Sequence, residues 1–164
     1  MKSITFICQD ELFGKSVSQG VADALDMYFA DASEIISYSL QNENEIQKLC
    51  GLDYLYSLKE KCLNDMSEYE NSIIFLNSLI YLGLKDKSGF LEKTDVFYIK
   101  IDKKMLEKVQ KTQKNTEKEE KQLNLLQFEN RDSLLKKYSK DVITLVNLGI
   151  KTAIKKIVKC VTGE

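Results

Sequence analysis

Five short apolar runs recur along the chain, and no hairpin signal joins any two of them. They span residues 3–8, 27–30, 71–76, 95–101 and 142–145. Continuous apolar, β-branched runs of this length suit strands buried on both faces. The intervening segments have helical spacing. Residues 15–25 carry Val17, Val21, Ala24 and Leu25 on one side, with Gly20 and Ala22 allowing close packing. Residues 33–39 and 45–66 read as helices, the second with Ile46, Leu49, Leu52, Leu55 and Leu58 on one face. Further helices are expected at 102–109, capped by Asp102, at 128–138 and at 150–161. Strands that alternate with helices predict an α/β domain with a parallel sheet of about five strands. Ligands in such sheets bind beyond the carboxyl ends of the strands.

Composition narrows the chemistry. A length of 164 residues fits one domain over residues 1–164, with a core large enough to sustain it. The net charge of -1 gives no basic excess for a nucleic-acid partner. No run approaches the ~18 apolar residues that a membrane helix needs. The absence of histidine removes His-based acid–base chemistry, catalytic triads and His-ligated metal sites. The four cysteines are widely spaced and form no C-x-x-C pair, so neither zinc nor a disulfide framework is expected. A reducing cytoplasmic compartment follows, with Cys8 and Cys160 as small buried hydrophobes. Arg131 is the single arginine in a lysine-rich chain, and lysine cannot copy its planar fork of donors.

The motif with chemical content lies after the first apolar run. Gly14, Lys15 and Ser16 match the second half of G-x-x-x-x-G-K-[ST], in which backbone amides cradle phosphate, the lysine reaches the outer phosphates and the hydroxyl binds Mg²⁺. The first half departs from it. Gln9 stands at the first glycine, Asp10 and Glu11 bring negative charge, and Phe13 brings bulk. A carboxylate ~6 Å from a phosphate costs roughly 3 kcal/mol per charge pair at an effective dielectric of about 20. Lys15, Mg²⁺ and the helix N-terminus act in the opposite sense. The polar run at 111–122 reads as a solvated helix or loop, or as part of a lid over the site at 111–124.

In layout the chain resembles shikimate kinase, within the P-loop family of small kinases. The resemblance implies a three-layer α/β fold, with ATP and Mg²⁺ as cofactors if the loop functions. Gly14, Lys15 and Ser16 fall on the nucleotide-binding positions, and Ser16 and Asp31 on the Mg²⁺ positions. Lys15, Asp31 and Arg131 fall on positions that act in phosphoryl transfer. Other positions depart from the pattern. Ser33 replaces the second acid of D-x-D, and Tyr56 stands where an arginine would hold the substrate carboxylate. Asn77 and Ser78 replace a G-G-G turn, and the lid lacks its Arg-Pro. Ser33, Tyr56, Asn77 and Ser78 are therefore the candidate substrate-pocket residues. Three functions are compatible with this pattern. One is a divergent family member impaired in shikimate phosphorylation, with residual nucleotide or phosphate binding. Another is an active ATP-dependent kinase of shikimate or another small hydroxyl compound. The third is a structural module that binds a protein partner.

Overall fold

The computed structural model describes residues 2–102, 104, 118–146 and 148–163. Strands β1 (Ile4–Cys8), β2 (Tyr28–Asp31), β3 (Ser72–Asn77), β4 (Asp95–Ile101) and β5 (Asp141–Leu145) form one parallel sheet in the order β2-β3-β1-β4-β5. β1 is central, and all five of its residues are buried. Its alternate side chains feed two cores, as a period of two requires. Ile4, Phe6 and Cys8 face α1 (Glu11–Leu25) and α8 (Ile150–Thr162). Ile7 faces α2 (Ala32–Leu40), α4 (Leu52–Met66), α5 (Ser78–Gly83) and α6 (Ser88–Lys93). Helix α3 (Glu43–Cys50) precedes α4, and α7 (Lys118–Lys137) leads into β5. No described helix is long and apolar enough to cross a membrane.

Register sets the site. Cys8 pairs with Asn77 on one side and Ile99 on the other. The residues that leave β1 and β3 therefore emerge at one level, above the carboxyl ends of the strands. Gly14 brings α1 very close to the sheet here. A Cβ at Gly14 would lie 2.6 Å from both the Cβ of Cys8 and Cε2 of Phe75. Gly20 does the same against α8, where a Cβ would lie 2.3 Å from Cδ1 of Ile154.

Several expectations need correction. α1 begins at Glu11, four residues before Lys15. The helix expected over 45–66 is two helices. Gly51, with φ of +88°, breaks the helical backbone and starts α4 in a new direction. The leucine face is broken with it: Leu55 is buried, whereas Leu49 and Leu52 are exposed. Cys160 is also exposed. Ala153, Ile154, Ile157, Val158 and Val161 form the inward stripe of α8, and Cys160 lies one ~100° step off it. α5 and α6, six residues each, are additional to the expected helices. The helix expected at 102–109 lies outside the described residues except for Asp102 and Lys104. So does the lid segment from 111 to 117, whereas 118–124 form the first turns of α7.

Candidate active site

Only Gln9 and Asp10 separate β1 from α1. Asp10 is the N-cap of α1, with extended φ of -88° and ψ of 110°. Its Oδ1 accepts from the Phe13 amide at 2.8 Å. Its carbonyl accepts from the Gly14 amide at 2.9 Å, an ordinary helical bond. Glu11, Leu12 and Phe13 are thus already helical where a phosphate loop would be open. The partial positive charge of the helix start meets the Asp10 carboxylate, with Glu11 in the same turn. Gly14 is buried against Cys8 and Phe75 with no positive φ, so close packing alone requires a glycine there.

Gln9 turns across the rim. Its Nε2 donates to the Tyr98 hydroxyl at 3.1 Å and to the Phe128 carbonyl at 3.0 Å, joining β1 to β4 and α7. Its Oε1 is buried without a partner. Tyr98 in turn donates to Oδ1 of Asp132 at 2.9 Å. Lys100 and Lys136 each bind Oδ2 of Asp132 at 3.0 Å. Burial opposes the charge on Asp132, but hydrogen bonds from Lys136, Lys100 and Tyr98 outweigh it and hold the carboxyl below its ordinary pKa. Burial drives the Tyr98 hydroxyl the other way, well above the ordinary tyrosine range.

Lys15 lies on the other side of α1. Its Nζ binds Oδ2 of Asp31 at 2.8 Å and also the Glu34 carboxylate. Hydrogen bonds to Asp31 first, and to Glu34 second, raise its pKa well above the ordinary lysine value. Asp31 is the N-cap of α2, accepting from the amides of Ser33 at 2.9 Å and Glu34 at 3.3 Å. Both of its oxygens are therefore engaged within the chain. Lys15 and Asp31 lie together, and each is the other's partner.

The other predicted residues are dispersed. Ser16 is exposed on α1. Ser33 lies in the first turn of α2, its Oγ buried and unpartnered. Tyr56 packs its ring over Gly83, where a Cβ would come within 2.2 Å. Asn77 caps α5, accepting from the Leu79 amide at 2.8 Å, and Ser78 is buried behind it. Arg131 hydrogen-bonds along its own helix, from Nε to the Gln127 carbonyl at 3.3 Å and from Nη2 to Gln127 Oε1 at 3.5 Å. Three contributors were missed: Glu34, Asp132 and Lys136. Glu34 was readable as the fourth member of Asp31-Ala32-Ser33-Glu34, a capping-box spacing. Asp132 and Lys136 stand four apart on a helix, which is a readable pair. The reach from Tyr98 to Asp132 has no local signal. Among the described residues, no group of three or more Cys, Asp or Glu is arranged to hold a metal.

A parallel sheet of this order, with Gly-Lys-Ser entering the first helix, defines the P-loop kinase class of fold. The chain belongs to the shikimate kinase family, whose model matches residues 13–162. Solved structures agree on the fold. A shikimate kinase from Bacteroides thetaiotaomicron superposes with a TM-score of 0.80 at 11% identity, covering 98% of each chain. A shikimate kinase from Acinetobacter baumannii in complex with shikimate gives 0.75 at 17% identity, covering 99% of this chain and 94% of that one. Dephospho-CoA kinase from Campylobacter jejuni gives 0.64 at 14% identity, covering 98% and 95%. No curated protein matches in sequence.

Proposed function

We propose that this shikimate kinase family member is impaired in shikimate phosphorylation, and that any anion at the start of α1 is held weakly. One observation carries the reading: α1 starts at Glu11 with the Asp10 carboxylate as its cap. A phosphate site needs amides turned toward an empty, electropositive hollow. Here the Phe13 and Gly14 amides are taken by Asp10, and two carboxylates stand at the entrance. ATP–Mg²⁺ does not fit this arrangement. Lys15 is neutralised by Asp31 and Glu34, and the acid expected to help position Mg²⁺ is the same Asp31. The candidate substrate positions are also committed, Tyr56 to Gly83 and Asn77 to the α5 cap. All four cysteines are free, which suits a reducing, cytoplasmic compartment.

The test is transfer of γ-phosphate from ATP–Mg²⁺ to shikimate, with both at millimolar concentration. No turnover above the protein-free control is expected, and turnover at an ordinary enzyme rate would overturn the reading. Thermal shifts with ATP–Mg²⁺, ADP and shikimate supply a second readout. A ligand present at 100 times its Kd would stabilise by about 2.7 kcal/mol. A shift with nucleotide that is lost in Lys15→Ala would show that the site still binds.

The kinase reading is favoured by one observation, the 2.8 Å approach of Lys15 to Asp31. It requires Glu34 and Asp10 to swing away when nucleotide arrives. Phosphoryl transfer rests mainly on positioning and charge neutralisation, so Gly14, Lys15, Ser16, Asp31 and Arg131 would be its working set.

A further inference from the structure

A cleft of about 550 Å³ is lined by all four residues of β2, from Tyr28 up to Asp31 at the carboxyl end of that strand. Among the described residues, β2 is an end strand that pairs only with β3, and its other edge has no strand neighbour. Tyr28, Ala30 and Ile35 line one part of the cleft, and Tyr69, Glu70 and Ser72 the other. Its upper end reaches Asp31 and Glu34.

Three observations bear on what fits there. Ser72 is 2% exposed, and its Oγ has no hydrogen-bond partner. A buried hydroxyl without a partner is a cost that a polar ligand group relieves. Two tyrosines are exposed there, Tyr28 at 76% and Tyr69 at 44%. Among the described residues the charge has one sign: Glu70 has no ion pair, Glu34 and Asp31 share the cation Lys15, and no lysine or arginine lines the cleft. The acid disfavours a second copy of this chain, which would bring like charge to like charge across a β2–β2 contact. It favours a cation, and exposed tyrosine faces do the same. An unpaired strand edge favours an extended backbone.

We propose that this cleft receives an extended, lysine-bearing segment of a partner protein, added as a strand to the free edge of β2. Backbone hydrogen bonds to β2 supply affinity, and a lysine near Glu70 and Tyr69 supplies selection. The cleft shares Asp31 and Glu34 with the kinase site, and the inference rests on the strand edge and on Glu70, which that site does not use.

The test uses the full chain with a fluorescein-labelled alternating valine–lysine hexapeptide, read by anisotropy at low salt. Saturable binding is expected, with amide shift changes confined to residues 28–31 and 69–72. The Kd is expected to rise about tenfold in Glu70→Lys. Glu70 is exposed, so that variant keeps its fold, and its unfolding midpoint is the control. A valine–glutamate peptide, and the lysine peptide N-methylated on alternate amides, are expected not to bind. No saturation up to about 1 mM would overturn the proposal. So would an unchanged Kd in Glu70→Lys, or equal binding of the N-methylated peptide, which would mean charge attraction without strand addition. Dimerisation of the peptide-free protein, lost in Tyr28→Asp, would replace the partner with a second copy.

Discussion

At mid-sheet, Phe6 sits in register with Phe75 and Phe97 on its two neighbours, and its ring lies 6.1 Å from that of Phe97. Three residues further along the chain, just past the strand, Gln9 reaches sideways to Tyr98 and Phe128 and leaves its amide oxygen unpaired. The two levels obey different rules. A core needs apolar volume of about the right size, and many side-chain sets satisfy it. This is why the sheet superposes on shikimate kinases at 11 and 17% identity. The rim depends on individual donors and acceptors, and one carboxylate at Asp10 changes what the start of α1 can hold. Under the proposed function, family membership describes the lower level more fully than the upper one.

Substitutions can break or sharpen that contrast. Phe75→Ala should cost the most, about 4 kcal/mol by urea unfolding, because it empties a fully buried ring position. A loss below about 1 kcal/mol would show that the core is not the rigid partner in the comparison. Gly14→Ala sits at the seam between the levels. Its new methyl meets Cys8 and Phe75 at 2.6 Å, and should cost about 2 kcal/mol. Pairing it with Phe75→Leu should restore part of the loss, which unfolding of the double variant checks. At the rim, Asp10→Ala should cost about 1 kcal/mol through the lost cap, and Asp10→Gly only a few tenths. Titration calorimetry of Asp10→Gly with ATP–Mg²⁺ then asks whether the cap was the obstacle. Tighter binding than wild type is expected.

Lys15→Met should be the mildest, below about 1 kcal/mol, since the lysine is partly solvated. Its sign with pH is fixed. The folded pKa lies above the ordinary 10.5, so the Lys15 contribution is complete below that value. It fades as pH rises through the folded pKa. The difference between wild type and Lys15→Met should therefore stay flat from neutral pH to about 10 and shrink above it.

Periodicity resolved what long, regular segments encode. β4 spans 95–101 as read from its continuous apolar run, and α8 differs from its expected span by one residue. Gly51 hid inside a pattern that stayed apolar on both sides, so the turn it permits looked like continuing helix. α5 and α6 are too short for a period to show. At the site, the G-K-S motif drew the expected helix start to Lys15. Asp10 followed by Glu11 was itself a helix-start signal of the ordinary kind. The Lys15–Asp31 pair spans sixteen positions and two elements, so only the crossover from α1 to β2 brings it together. Gln9 enters the sequence reading only as the residue at the first glycine of the motif. Its side chain proved to matter more, and a side chain that crosses to Phe128 leaves no trace in local sequence.

Cys8 lies directly beneath Gly14, and burial pushes its thiol up to about 12. Cys50 and Cys160 are exposed. An alkylating reagent at neutral pH therefore modifies the outer thiols at once, whereas Cys8 reacts only when β1 and α1 part. The slow mass increment becomes a stopwatch for that parting. Anything that clamps the start of α1 would slow it, so the chain carries its own reporter of ligand capture, one that runs without catalytic turnover.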